Sequence, residues 1–363
     1  MNKHSIVSIL LMLALRVFAQ HDSSSRYTFC LNGFSEGYSN YYNSGDNTLI
    51  NRQFLYNYSH ADIANINLVM LKAKIEGSSL RSSLALMAGT YAINNLAHEP
   101  RWTRHIYEAH AGVRLVRNYD LWIEAGVFES YIGHETPIGS NHPTLSRSLA
   151  AENSPYYLNG SRLMYETPDN KWLLSIYFVS GWQQMTWNQV SGVHLGAHLQ
   201  YKPSGKWLIN YSNFMSAGNQ QTISNTSFSR MFHDLYVVFK PNDKCELRAL
   251  YDYGIAYNIA FNGIQSWQVM NAMMRYQFSK NWASSARLEF LHNPQAVFLL
   301  SNLINPKLNY LCGASINIDW LFNNGFMLRN ELKYLTSNDM VFNDVFNKTR
   351  HQLMGITSIC YQF

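Results

Sequence analysis

The sequence is short of charge. Asp, Glu, Lys and Arg make up 14% of its 363 residues, against about 25% in ordinary soluble domains. Long apolar runs are scarce too. After residue 19 no stretch reaches the ~18 apolar residues a helix needs to cross a bilayer. Cysteine is sparse: Cys30, Cys245, Cys312 and Cys360 lie far apart, without CxxC or metal-finger spacing. That excludes a disulfide-stapled or zinc-built scaffold. No HExxH, GxSxG or glycine-rich phosphate loop occurs, so no familiar catalytic signature and no cofactor is indicated.

What is present begins with a leader. Lys3 and His4 precede an apolar run from Ile6 to Leu15, and Val17-Phe18-Ala19 supplies a cleavage site. Residues 1–19 read as a signal peptide, leaving 20–363 as the mature domain. That domain holds 26 basic and 23 acidic residues, too even a balance for nucleic-acid binding. Aromatics reach 14% with a mean hydropathy of only −0.21. A sheet that is apolar on one side and polar on the other has this composition.

Two-residue alternation is clean in several segments. Val193, Leu195, Ala197, Leu199 and Tyr201 oppose His194, Gly196, His198, Gln200 and Lys202. Cys245, Leu247, Ala249, Tyr251, Tyr253 and Ile255 oppose Glu246, Arg248, Asp252 and Gly254. Tyr310, Cys312, Ala314, Ile316, Ile318 and Trp320 oppose Gly313, Ser315, Asn317 and Asp319. Tyr107, Ala109, Ala111, Val113 and Leu115 oppose Glu108, His110, Gly112 and Arg114. Cys245 and Cys312 fall in the apolar register, as free thiols toward lipid.

A soluble β-sandwich alternates as well, and the connections decide between the two. Short turns at 117–120, 167–171, 202–206, 240–244, 279–281 and 322–325 alternate with longer connections such as 134–154, 218–228, 293–308 and 336–349. Tyr165, Tyr201, Phe239, Phe278 and Trp320 sit just before short turns. Trp172, Trp207, Trp282 and Phe326 sit just after them. Aromatics collected at one end of a sheet form an interfacial girdle, for which a sandwich has no use. The segments number sixteen: 27–42, 62–76, 80–93, 104–117, 120–133, 155–167, 171–182, 191–202, 206–217, 229–240, 244–256, 266–278, 281–292, 309–321, 325–335 and 349–363. The expectation is an all-β, single antiparallel transmembrane barrel of about 16 strands, both termini periplasmic, in a Gram-negative outer membrane. A barrel this wide leaves an aqueous channel.

Between Ile106 and Tyr165 the chain reads IYEAHAGVRL, LWIEAGVFESYIGHETPIG and TLSRSLAAENSPYYLNGSRLMYE. These stretches resemble the OmpL-like β-barrel porin family of Bacteroidota outer membranes, and the likeness extends more loosely over 27–363. The resemblance implies a barrel and a passive pore, and it transfers no substrate and no catalytic residue. Barrels of this type present a terminal aromatic to the assembly machinery, and Phe363 with Tyr361 fits that signal. The pattern leaves the number of copies in the assembly open.

Loop 134–154 mixes His134, Glu135, Arg147 and Glu152 with Ile138, Leu145 and Leu149. A loop in water has no need of those apolar residues, whereas one packed on the inner wall does. By analogy with porins whose loop after strand five narrows the pore, Glu135, Arg147 and Glu152 are the candidate constriction, facing the pore or pairing with the wall. The bland alternative is a surface loop forming its own cap. The inward register collects Arg114, Lys202, Arg248, Arg275, Arg287, Arg329 and Lys333 with Glu108, Glu124, Glu246, Asp252, Glu289, Asp319 and Glu331. Mixed charge on a polar wall can set an ion-selective field, or neighbouring opposite charges can simply neutralise one another. His194 and His198 are four residues apart on a strand, about 13 Å, too far for one metal ion. Ser140 and His142 are the weak sign of a rim hydrolase. The functional expectation is a diffusion channel for small hydrophilic solutes. Against it stand a non-conducting barrel that binds an envelope partner and, last, the hydrolase.

Overall fold

The computed structural model describes residues 27–42, 55–60, 64–186, 192–221, 227–258, 263–294, 310–322, 324–343 and 348–363. The expected signal segment lies outside them. Sixteen strands close into one antiparallel barrel. They are β1 (Thr28–Tyr42), β2 (Asn65–Glu76), β3 (Leu80–Ala88), β4 (Ile106–Arg114), β5 (Asp120–Glu129), β6 (Tyr157–Glu166), β7 (Trp172–Val179) and β8 (Gly192–Ser204). The second half has β9 (Trp207–Gln221), β10 (Ser227–Asn242), β11 (Cys245–Asn258), β12 (Gly263–Gln277), β13 (Trp282–His292), β14 (Tyr310–Leu321), β15 (Phe326–Ser337) and β16 (His351–Gln362). Each strand pairs with its sequence neighbours, and β1 pairs with β16 to close the ring. Closure removes the exposed edge that an open sheet would present. Among the described residues no helix is long and apolar enough to cross a membrane.

The closing seam is completed by the last residue. Phe363 and Gly33 exchange backbone hydrogen bonds, each 3.1 Å. The start of β1 and the C-terminal Phe363 therefore lie where the short turns are. At that end the outward aromatics stack across strands: Trp172 on Tyr201 and Trp207 on Phe239 at 4.0 Å, Trp282 on Trp320 at 5.5 Å, Phe326 on Tyr361 at 4.5 Å. Above them the outer wall is an apolar band that includes Leu84, Ile176, Leu247, Ile316 and Leu332, all exposed. Cys245 and Cys312 are free thiols in the outward register. Alternate residues of the same strands are buried inside.

Three details differ from the expected pattern. The third strand stops at Ala88, and Thr90–Asn95 is a helix, α1. Gly89 makes the break: its φ of +127° suits glycine, and a Cβ there would stand 2.3 Å from the Asn67 carbonyl oxygen. Tyr107 points inward rather than outward. A bulge where Ala85 pairs with Glu108 but Leu86 pairs with Ile106 gives β4 one extra residue, so Tyr107 and Glu108 are both buried. The 218–228 connection is far shorter than expected, because β9 runs to Gln221 and β10 starts at Ser227. Polar side chains end an apolar pattern but do not end a backbone ladder.

The outward register makes a stability prediction. Leu247→Arg or Ile316→Arg should destabilise the folded barrel in lipid by ~2–4 kcal/mol if placed near the midplane. Arg248→Leu, on the inner face, should be much milder. Denaturant titration in phospholipid vesicles measures both, and the reverse ranking would contradict the assigned faces.

Candidate functional site

The inner faces of β12 to β15 carry charge in rows. Register pairing sets Asp319 beside Arg329, Asn317 beside Glu331, and Ser315 between Arg287 and Lys333. One row further along, Glu289 lies opposite Gly313. A Cβ on Gly313 would sit 2.5 Å from the Glu289 Cγ, so glycine makes the room that carboxylate occupies. Inside the wall Lys333 pairs with Glu289 at 2.9 Å, Arg287 with Glu331 at 3.3 Å, and Arg329 with Asp319 at 2.8 Å. Arg275 also bonds Asp319.

Loop 134–154 is folded onto this wall. The Arg329 guanidinium donates to the carbonyls of Gly139 (2.6 Å), His142 (3.1 Å) and Pro143 (2.9 Å). The Leu145 amide donates to Asn317 Oδ1 at 3.1 Å. Arg287 donates to Thr144 Oγ1 at 2.8 Å and to the Ser146 carbonyl at 2.6 Å, while Ser146 donates to Glu331. Lys333 reaches the Arg147 carbonyl at 3.2 Å, and the Leu149 amide donates to Glu289 at 2.7 Å. From residue 143 to 149 the loop thus climbs the wall row by row, from Asp319 to Gly313. The six-residue spacing along β14 is about 20 Å. Ser140 donates to Gln362 at 2.7 Å, so the lowest part of the loop reaches the short-turn end. Ile138, Leu145 and Leu149 are buried.

Glu135, Arg147 and Glu152, expected to face the pore or to pair with the wall, bond chiefly to backbone of the inserted segments. Arg147 is fully buried and donates to three carbonyls of its own loop, those of Thr136 (2.6 Å), Leu145 (2.7 Å) and Pro137 (3.0 Å). Glu135 accepts the Ser148 amide at 3.1 Å and the Ser148 hydroxyl. Glu152 accepts the Tyr56 amide at 2.8 Å. These charges build the loop, because backbone buried within it is shielded from the lumen water and must be satisfied by other groups. Tyr56 belongs to a second inserted segment, 55–60, which the sequence reading missed. There Tyr58 is buried and donates to Glu36 at 2.9 Å.

The wall residues sort into two groups. Arg287, Glu289, Asp319, Arg329 and Glu331 hold the inward register but lie beneath the loop rather than against open lumen. Asp252 is buried beside Asp234, its register partner on β10. In the other group the cations are partly exposed, while Glu108 and Glu124 are buried. Arg248 bonds Glu246 at 2.6 Å, Arg114 bonds Asp120 at 2.7 Å, and Lys202 lies at the short-turn end. Glu108 bridges Lys72 and His110. Glu124 holds both Arg81 and Arg162. Lys72, Arg81 and Arg162 escaped the sequence reading, although the alternation Arg81, Ser83, Ala85, Met87 against Leu80, Ser82, Leu84, Leu86 was there to find. In the sixteen-strand ring β4 stands eight places from β12, so Glu108, Glu124 and their cations face the loop-bearing wall, whereas Arg248 lies against the loop and donates to the His134 and Asn141 carbonyls at 3.3 and 3.4 Å.

Ser140 and His142 do not form a nucleophile and base. The serine hydroxyl is turned to Gln362, and His142 Nε2 accepts the Thr136 amide at 2.8 Å. Burial holds the His142 imidazole well below its usual range, which keeps that nitrogen an acceptor. His198 bonds Asn210 at 2.6 Å, and His194 stacks on Phe214. Among the described residues no group of three or more His, Cys, Asp or Glu could hold a metal ion.

Comparison with known proteins places these features in context. The family model described as "Putative beta-barrel porin-2, OmpL-like" matches residues 28–363. The outer membrane channel DcaP of Acinetobacter baumannii has a similar structure, with a TM-score of 0.63 at 13% identity over 93% of this chain and 97% of that one. An anion-selective porin from Comamonas acidovorans superposes with a TM-score of 0.60 at 10% identity, over 93% and 100% of the two chains. The trimer form of OmpT, an outer membrane protein of Vibrio cholerae, gives 0.59 at 8% identity, over 93% and 99%. At these identities the likeness is one of fold. No curated protein matches the sequence significantly.

Glu152 makes the loop sensitive to pH. Burial pushes its carboxyl up to about 7, against an ordinary 4.5. The folded state then binds the proton more tightly than the unfolded chain, so stability from this group falls as pH rises from about 4.5 to about 7. Hydrogen exchange at Leu149–Asn153, corrected for intrinsic rates, should accelerate between pH 5 and about 8. Glu152→Gln should flatten that dependence, and an equal dependence in both proteins would contradict it.

Proposed function

We infer the solute path from one premise: the chain belongs to the OmpL-like porin family and is an outer-membrane channel of a Gram-negative bacterium. Its surroundings are outer-membrane lipid, and solutes pass through its interior. We propose that loop 134–154 narrows the lumen and that small hydrophilic solutes diffuse between the loop and the facing wall of β2 to β6. One observation carries this. Arg287, Arg329 and Lys333 under the loop are fully buried, whereas Lys72, Arg81 and Arg162 on the facing wall keep part of their surface open. On this reading the constriction is made by the bulk of residues 139–146. The charges of Glu135, Arg147 and Glu152 act as its scaffold, not as its field.

Family and fold fit a channel rather than an enzyme. Within that, we read the rim as non-catalytic, since Ser140 and His142 are each engaged elsewhere. We also propose that the short turns and both chain ends face the periplasm, and that β16 is the contact for the barrel assembly machinery. Phe363 supports the second point, being exposed beside Tyr361 at 5.9 Å.

Deleting 139–146 should raise single-channel conductance in planar bilayers. Arg329→Leu should move it the same way, because truncation leaves Asp319 buried with one partner fewer and frees three loop carbonyls, at a cost of about 3–5 kcal/mol. If both variants insert normally and conduct like the parent, the loop does not set the constriction. Deleting Phe363 should lower outer-membrane levels at native expression and raise periplasmic degradation. Unchanged levels would sink the assembly assignment.

A further inference from the structure

We infer that the channel favours small anionic solutes, carboxylates and phosphates among them, over cations. This rests on the channel reading above. Its basis is not net charge, which is near balance, but which member meets the lumen in four inner ion pairs; Arg114–Asp120 and Arg248–Glu246, nearer the short turns, expose both members about equally. Lys72 keeps 21% of its side-chain surface against 8% for its partner Glu108. Arg81 and Arg162 keep 19% and 18%, while Glu124 between them keeps 1%. Arg275 keeps 20%, its partner Asp319 none. Each of these pairs turns its positive pole to the water and its negative pole into the wall.

The pairing pattern enforces that orientation. On β5 and β6 Glu124 stands directly opposite Arg162. The Arg81 guanidinium reaches Glu124 across β4 while also lying 4.3 Å over the Trp122 ring. A carboxylate chelated from both sides is covered by its own cations, whose longer side chains end further into the lumen. The acids that do meet the lumen are held or offset. Glu246 lies between Arg248 (2.6 Å) and Lys240 (3.1 Å), and Glu129 accepts the Tyr107 hydroxyl at 2.6 Å. At the short-turn mouth Lys171, Lys202, Lys206 and Lys240 border one groove with a single acid, Asp169. Beneath the loop Arg287, Arg329 and Lys333 are buried and paired with Glu331, Asp319 and Glu289, so they add little field to the path. In confined water a one-signed lining acts at short range and concentrates counter-ions.

The test is the reversal potential of the full-length protein in planar bilayers under a KCl gradient. The parent should prefer chloride over potassium by about threefold or more. Lys72→Gln and Arg162→Gln should each lower that ratio about twofold, and Glu246→Gln should raise it. Lys202→Gln, at the mouth, should lower it without touching an inner pair, which keeps the test open if an inner variant fails to fold. A parent ratio at or below one overturns the inference, as do variants that insert, conduct and leave the ratio unchanged. Absence of conductance steps in the parent is a separate result. It removes the channel reading, and the inference with it.

Discussion

A long loop packs tightly on the inner wall of a barrel only if the wall replaces the water its buried backbone loses. Here that role falls to Arg287, Arg329 and Lys333 with Asp319, Glu289 and Glu331. Their guanidinium, ammonium and carboxylate groups bond the backbone of Gly139, His142, Pro143, Ser146, Arg147 and Leu149. The rows are set by strand register, so the loop's path follows from the same pairing that closes the barrel. Removing one charge leaves its partner buried and uncompensated, which is the costly way to break such a network. The position of the loop, the side on which lumen remains, and the charges that solutes meet all follow from this lattice.

The architecture was legible because lipid imposes a strict period. Sixteen segments, the alternation of short and long connections, and the aromatic girdle could be read from spacing alone. The exceptions have local causes. A bulge turned Tyr107 inward, Gly89 diverted the chain into α1, and polar residues concealed the extension of β9 and β10. The inserted segment around Tyr58 was unreadable, since nothing in a run of Asn, Tyr and Ser says that Glu36 and Asn67 wait to bind it.

The site was legible only in part. Ile138, Leu145 and Leu149 did mark a loop that packs on the wall. Charge identity, however, does not reveal direction. Arg147 has the residue type expected of a pore-facing charge, yet it is spent on three carbonyls of its own loop. Conversely, Arg81 and Arg162 look like halves of neutral pairs. Only their exposure relative to Glu124 shows that the pair is polarised toward the lumen. Sequence gives the ions present, and three-dimensional burial decides which of them a solute can feel.

Which wall the loop covers decides where solutes pass and which charges they meet. Single cysteines placed in a cysteine-free background at Lys72 and at Ser315, then exposed to a charged thiol reagent during current recording, test that directly. Lys72→Cys should react and change the conductance, while Ser315→Cys, buried beneath the loop, should stay silent. Reaction at Ser315→Cys with none at Lys72→Cys would contradict it.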